Sequence, residues 1–494
     1  MPMFNLLSTL SRLAVLVGLY LVAKFVYNVY FHPLANFPGP TSWTLTRLPW
    51  VMHLARGDQH IQIKALHDCY GPVVRVAPDE LSFIEGSAWA DIYAGGNRNK
   101  GLPKNNVIYG AQQFRNLLDG TDDEYFRMRK VLAASFSARN TVGQEKFLQR
   151  YINKLVQKLR IAAESDHDVN LMEWFTWLAF DITGELVFSE SFNQLDQTIS
   201  HPWVKIITSH LKYSALSVCL RFYSPLDRLM PLIAPSSLYR EKWSFLNMAR
   251  QKVLRRLNRP DSKQLDDIFG AAVTANDEEP IQMSMDELIG TFTFLIVAGS
   301  ETTASVLTGI TNYLWRNPRV LRLLTEEIRS VPSEQSLTLA STATMPYLNA
   351  VLKEGMRLCH PVPGALSRVV PPEGKVIWGH FVPGNTVVGI PPYAAYISEW
   401  NFSSPYEFRP ERWLGNQDDN NRNVFQPFSI GGRNCVGQNL ALAEMRLVLT
   451  RVLYNFDFEQ TGGVDWAERS TYLLWEKDPI LMRVRAAGSG REER

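Results

Sequence analysis

The chain has 494 residues, 46% hydrophobic and 20% charged, a globular composition. Lysine and arginine number 51 against 49 aspartates and glutamates, so bulk charge carries no footprint of nucleic acid and none is expected as a partner. Four cysteines, Cys69, Cys219, Cys359 and Cys435, show no paired spacing, which fits a reducing compartment rather than a disulfide framework. Length alone suggests about three domains. No linker or repeat is visible, so one large domain over 32–485 is expected, between an N-terminal segment 1–31 and a polar, disordered tail 486–494.

Residues 6–31 are mostly apolar and long enough for a membrane span of about 20 residues. Arg12 and Lys24 interrupt the run, and both can snorkel to opposite interfaces. Tyr27, Tyr30 and Phe31 read as an interfacial aromatic belt. No small-x-small site follows, so an uncleaved anchor is expected. Phe37-Pro38-Gly39-Pro40 then reads as a stiff, extended hinge. Residues 57–71 suggest an amphipathic helix with Ile61, Ile63, Leu66 and Tyr70 as its apolar positions. Residues 72–84 suggest a β-hairpin turning at Pro78-Asp79-Glu80, and residues 97–118 a polar, irregular loop.

Asp122, Asp123 and Glu124 open a helix that places Tyr125 and Arg129 on one face. Arg127, Arg129 and Lys130 form a basic face, either solvated or open to an acidic partner. Residues 170–188 form an apolar helix with Asp181 packed in its core. Residues 201–257 give further helices, of which the apolar 216–232 could touch both membrane and substrate. Ser284 and Glu287 form a capping box, and the helix they open runs to about Trp315, stopped by Asn317-Pro318. It is apolar nearly all round and should be buried. Its middle carries Ala298-Gly299-Ser300-Glu301-Thr302-Thr303, with Thr303 turned about 100° from Thr302. A buried Glu beside threonines is costly unless it is used, although a Thr there can simply bond a helix carbonyl. Pro346 starts a helix with Glu354 and Arg357 three apart, and short strands are expected at Val369, 375–377, 381–382 and 386–390.

Near the C-terminus, Phe428-Ser429-Ile430-Gly431-Gly432-Arg433-Asn434-Cys435-Val436-Gly437 sets one cysteine in a glycine-flanked loop ahead of helix-forming residues 438–449. A helix N-terminus stabilises a thiolate. Gly431 and Gly437 permit a tight turn and close approach to a flat ligand, and Arg433 suits an anionic partner. One thiolate without a second Cys or a His is poor zinc chemistry but suits the axial position of a haem iron. The bare cysteine alone would equally be a buried structural residue.

Phe428, Gly431, Arg433, Cys435 and Gly437 match the haem-ligand signature FxxGxRxCxG, and the chain resembles the cytochromes P-450. The middle of the long helix resembles that family's AGx(D/E)TT motif, while Glu354, Arg357 and Arg412 resemble its ExxR and PERF/W pair. The resemblance covers essentially the whole chain. It implies a mainly α fold with small β-sheets behind a single membrane anchor. Cys435 is then the axial ligand of haem b, framed by Phe428, Gly431 and Gly437, and Arg129, Arg368, Arg433 and Tyr125 contact its propionates. Thr302 and Glu301 deliver protons, and Ala298, Gly299, Val362, Ala365 and Leu366 line the substrate pocket, covered by the loop 97–118. Glu354, Arg357 and Arg412 form a buried structural network.

The segments HPLANFPGP, LHDCYGPVVRVAPDELSFI and FVPGNTVVGIPPYAAY look most like fungal secondary-metabolism enzymes related to trichothecene C-15 hydroxylases. That implies oxidation of a hydrophobic polyketide or terpenoid at the endoplasmic reticulum membrane, with the catalytic domain cytosolic. Electrons would come from NADPH through cytochrome P-450 reductase, with cytochrome b5 as a further partner. Two other readings stay open: a haem-thiolate isomerase or dehydratase needing no electrons, and a haem-binding sensor without turnover. Retention of Glu301 and Thr302 argues against both.

Overall fold

The apolar N-terminal run forms one helix, α1 (Pro2–Val26), continued by a π-helical turn at Tyr27–Phe31, in a computed structural model that describes residues 2–95, 100–110, 114–165, 167–233, 235–260, 267–278, 283–415 and 420–488. Leu13, Leu16, Leu19 and Val22 are all exposed along it. The 23 residues Thr9–Phe31 are long and apolar enough to cross a membrane. The expected hinge is not a free joint. The backbone N–H of Arg75 donates to the Pro38 carbonyl (2.7 Å), Arg75 Nη1 to the Asn28 carbonyl (2.8 Å), and Asn28 Nδ2 to the Leu45 carbonyl (2.9 Å). A buried guanidinium needs such acceptors, so residues 28–38 are fastened to the body.

Helix α2 (Gln59–Tyr70) follows, and its buried face corrects the expected one. His60, Ile63 and His67 face inward, while Ile61 and Tyr70 are exposed. The histidines are tolerated there because each finds a partner: His60 meets Thr471 Oγ1 (3.0 Å) and His67 meets Ser82 Oγ (2.8 Å). The hairpin is β1 (Val73–Ala77) and β2 (Glu80–Phe83). Within residues 97–118, Asn106–Tyr109 forms a helical turn and Lys104 a β-bridge to Arg368, whereas 97–99 and 111–113 lie outside the described residues.

Helix α3 (Asp122–Ala133) starts at a capping box between Thr121 and Glu124. Of the basic face expected on it, Lys130 stays exposed, whereas Arg127 and Arg129 turn inward. Arg127 Nη1 reaches Glu287 (2.9 Å), and Arg129 reaches the loop around Cys435, because these guanidiniums find carboxylate and carbonyl acceptors there. Next come α4 (Glu145–Glu164), β3 (Asp168–Asn170) and the almost wholly buried α5 (Leu171–Phe188). Asp181 in α5 is packed in the core and also accepts from the backbone N–H groups of Gln194 (3.1 Å) and Leu195 (2.9 Å), which satisfies its buried carboxylate. Then follow α6 (Pro202–Arg221) and α7 (Ser236–Leu257).

Helix α8 (Met285–Arg316) crosses the domain with Ser284 and Glu287 forming the capping box expected. It packs most extensively on α5, with α9 (Pro318–Arg329), α10 (Pro346–Leu358) and α11 (Gln438–Asn455) around it. Strands β4 (Arg368–Val369) and β7 (Val387–Gly389) join the hairpin in a sheet of order β1-β2-β7-β4. β5 (Lys375–Ile377) pairs with β6 (His380–Val382), and β8 (Phe456–Gly463) with β11 (Ile480–Ala486), which also takes β3. A short ribbon joins β9 (Thr471–Tyr472) and β10 (Leu474–Trp475). The architecture is therefore mainly α with small sheets, as expected. The tail begins later than 486: Ala486 ends β11 and Ala487 N–H reaches the Asn455 carbonyl (2.9 Å), while 489–494 lie outside the described residues.

Candidate active site

A cavity of about 330 Å³ lies between α3, α5, α8, the loop ahead of β4 and the cysteine loop. Its wall is predominantly apolar, with Leu117, Ile182, Leu186, Phe294, Leu295 and Val362 contributing. Cys435 lines it and is exposed to it. The loop folds by local bonds: Cys435 N–H donates to the Phe428 carbonyl (2.8 Å), and Gly431 turns with φ of 78°. A Cβ on Gly431 would stand 2.2 Å from the Tyr93 carbonyl oxygen, so this position admits only glycine. Gly431 itself is outside the cavity lining, whereas Phe428 and Gly437 line it.

Helix α11 begins at Gln438, and the N-terminal stabilisation of a thiolate is not the dominant effect. Burial raises the Cys435 thiol above its ordinary range, outweighing the Gly437 backbone N–H and the Arg129 charge that pull it down. The free chain thus presents a thiol, and a metal would have to displace its proton.

Tyr125 and Arg129 both line the cavity and clasp the loop. Tyr125 Oη donates to the Gly432 carbonyl (3.2 Å), while Arg129 Nη1 and Nη2 reach the Asn434 carbonyl and Oδ1, both at 2.7 Å. Arg433 donates through Nη2 to Asp122 Oδ1 (2.7 Å) and the Gly120 carbonyl (3.0 Å), leaving Nη1 buried without a partner among the described residues. Arg368 is likewise buried, with Nε unpartnered among the described residues. A fourth cation, Lys104, joins them. Burial first, and then the positive charges of Arg433 and Arg368, hold its ammonium well below the usual lysine range. Lys104 donates to the Leu118 carbonyl, and three crowded cations with two orphaned guanidinium donors fit a bound dianion, which would relieve their repulsion. Sequence reading missed Lys104 because it lies in an irregular loop. The signal in the sequence was a basic residue four positions after Lys100, in the loop expected to cover the site.

On α8, Ala298, Gly299, Thr302 and Thr303 all line the cavity. Thr303 was expected to be rotated away, but the cavity is wide enough to reach both threonines. Gly299 lets α5 come close, since a Cβ there would lie 3.1 Å from Thr183 Oγ1. Thr302 Oγ1 donates to the Ala298 carbonyl (2.7 Å). Glu301 is not in the lining: its carboxylate pairs with Lys477 Nζ (2.8 Å), the two side chains being 6% and 10% exposed. Lys477 lies between β10 and β11, far along the chain, which is why the pattern on α8 did not show it. Val362 and Leu366 line the cavity, but Ala365 packs against Gly389 instead. Among the described residues of 216–232 none lines the cavity, which overturns the substrate half of that expectation, and Leu226, Leu229 and Leu232 are exposed.

Behind the site, Glu354, Arg357 and Arg412 are brought together with 0% side-chain exposure. Arg357 Nε and Nη2 reach the two Glu354 oxygens (2.9 and 2.8 Å), and Arg412 Nε reaches Oε1 (3.0 Å). Trp413 Nε1 and the Arg409 backbone N–H, both at 2.9 Å, complete the carboxylate's set. Burial alone would raise the Glu354 carboxyl, but the two guanidiniums outweigh it and hold it below the usual range. Arg357 Nη1 also donates to the Tyr396 and Pro405 carbonyls, each at 2.7 Å, tying α10 to the chain that leads into the cysteine loop.

The family model described as Cytochrome P450 matches residues 38–484. Curated relatives align along almost their whole length. Cytochrome P450 monooxygenase astA of Talaromyces wortmannii is 35% identical, over 96% of this chain and 97% of its own. The aclL monooxygenase of Aspergillus oryzae is 36% identical, over 97% and 99%. The aba2 monooxygenase of Botryotinia fuckeliana is 38% identical, over 96% and 91%.

Proposed function

This chain belongs to the cytochrome P450 family and is a monooxygenase, and from that premise we propose that it oxidises a hydrophobic polyketide or terpenoid of secondary metabolism at the endoplasmic reticulum membrane, by hydroxylation, epoxidation or further oxidation. Electrons reach it from NADPH through cytochrome P-450 reductase, with cytochrome b5 as a second donor. One observation carries the reading: Cys435 shares an apolar-walled cavity with Lys104, Arg129, Arg368 and Arg433.

The donor set fits haem b. Cys435 would hold the iron through its sulfur, and Lys104, Arg129, Arg368 and Arg433 would take the propionates. When bound, haem supplies the dioxygen chemistry. The protein's part is to bind, exclude water and manage protons. The apolar wall desolvates the substrate. Thr302 holds a hydroxyl proton beside the cavity, directed at the Ala298 carbonyl until a turn about χ1 redirects it inward. Glu301 reaches the cavity only after leaving Lys477, so that ion pair controls its part in proton delivery. The apolar face of Leu226, Leu229 and Leu232 and the α1 helix both suit a membrane surface.

The test uses membranes carrying the full chain and reductase. Cys435→Ala loses the red-shifted band of the reduced carbon-monoxide complex. If that band survives, the ligand assignment fails. Metabolite profiles with and without NADPH separate oxidation from isomerisation or dehydration, because a product formed equally without NADPH overturns the monooxygenase role.

A further inference from the structure

Trp89 is 2% exposed, lines the cavity and buries its indole N–H without a partner among the described residues. An orphaned donor does not by itself mark a site. Trp203 and Trp466 are buried in the same condition, but neither lines the cavity. What sets Trp89 apart is its neighbourhood. It stands just ahead of the π-helical turn Ala90–Ala94, and its ring packs 4.8 Å from that of Tyr93. The Arg368 guanidinium stands 5.3 Å from the centre of the same Tyr93 ring. Tyr93 is itself pinned. Its hydroxyl accepts from the Ile390 N–H (3.0 Å), and its carbonyl lies so close to Gly431 that a Cβ there would come within 2.2 Å. Trp89 is thereby held on the side of the cavity where Arg368 and the cysteine loop meet.

Two further observations say why a donor of this kind suits that place. Tyr125, expected to contact a propionate, spends its one hydroxyl proton on the Gly432 carbonyl (3.2 Å). The cations already present also repel one another: burial and, after it, the charges of Arg433 and Arg368 hold the Lys104 ammonium well below the usual lysine range. Another buried cation would add to that cost. An indole N–H donates without carrying charge. Among the lining residues, three donors are orphaned: Arg433 Nη1, Arg368 Nε and Trp89 Nε1. Two carboxylates, with about four lone-pair sites each, have room for all three.

We propose that Trp89 gives its indole N–H to a haem propionate on the Arg368 side of the cavity, in the place expected of Tyr125. It is a positioning residue for the edge of the haem. The proposal rests on the reading that haem fills this cavity.

Two variants of the full-length, haem-loaded protein test this. Trp89→Phe keeps a ring against Tyr93 and removes the N–H. Trp89→benzothienylalanine keeps the shape of the indole and puts sulfur in place of the N–H, which separates the lost donor from lost packing. In both, the propionate bending mode in resonance Raman spectra should shift from the parent's. Haem transfer to apomyoglobin should quicken about tenfold, the worth of one hydrogen bond to a charged group. The carbon-monoxide band should keep its position. A propionate mode and a transfer rate equal to the parent's in the benzothienylalanine variant overturn the proposal. So does a change confined to Trp89→Phe, because the residue then acts by packing alone. A weakened substrate-induced spectral shift beside an unmoved propionate mode also overturns it, since the N–H then serves the substrate. A parent protein without the carbon-monoxide band brings down the haem reading as well, whereas a parental band beside an unmoved propionate mode brings down this proposal alone.

Discussion

Replacing Glu354 by alanine should unfold or empty the domain rather than merely inactivate it. The carboxylate accepts from five donors: Arg357 Nε and Nη2, Arg412 Nε, Trp413 Nε1 and the Arg409 backbone N–H. All are buried or nearly so, and both guanidiniums have no side-chain exposure. Removing the one anion leaves two like charges facing each other out of reach of water, which costs about 3–5 kcal/mol. Against a total stability of about 5–15 kcal/mol, that is a large fraction. Arg412→Ala should cost less, because Arg357 still neutralises Glu354 by two bonds. The sign with pH follows from the lowered carboxyl: its contribution is complete above the unfolded value of 4.5 and is lost as pH falls through the folded value. Urea unfolding followed by circular dichroism, with haem content measured in parallel, reads both effects. If Glu354→Ala unfolds within about 0.5 kcal/mol of the parent, the network is not a support and the reasoning fails.

Lys104→Met should act in opposite directions on two readouts. The haem-free protein becomes more stable at neutral pH, because a lysine whose folded value is depressed costs stability there and ceases to cost it only as pH rises towards 10.5. Haem dissociation should meanwhile quicken about tenfold, measured by transfer to apomyoglobin. Thr302→Ala should keep haem and fold but consume NADPH with more peroxide and less product; full coupling would remove Thr302 from proton delivery. Truncation ahead of Pro38 should release the protein from membranes while it still binds haem. It should also cost about 1–3 kcal/mol, because buried Arg75 loses the Asn28 carbonyl, whereas truncation ahead of Tyr27 should not.

What the sequence determined by itself is local. The capping box at Ser284 and Glu287, the hairpin around Pro78 and the short strands from 368 to 390 depend on neighbours within a few residues, and they form nearly where the pattern puts them. The cysteine loop is legible for the same reason, since its turn needs Gly431 and its bond from Cys435 N–H to the Phe428 carbonyl closes within the motif. Tertiary structure alone decided what each side chain meets. Periodicity says that a face is covered but not by what, so α2 buries two histidines and exposes Ile61 and Tyr70. Ion pairing is set by folded distance rather than chain distance. That sends Glu301 to Lys477, turns Arg127 towards Glu287 and brings Lys104 beside Arg368 and Arg433.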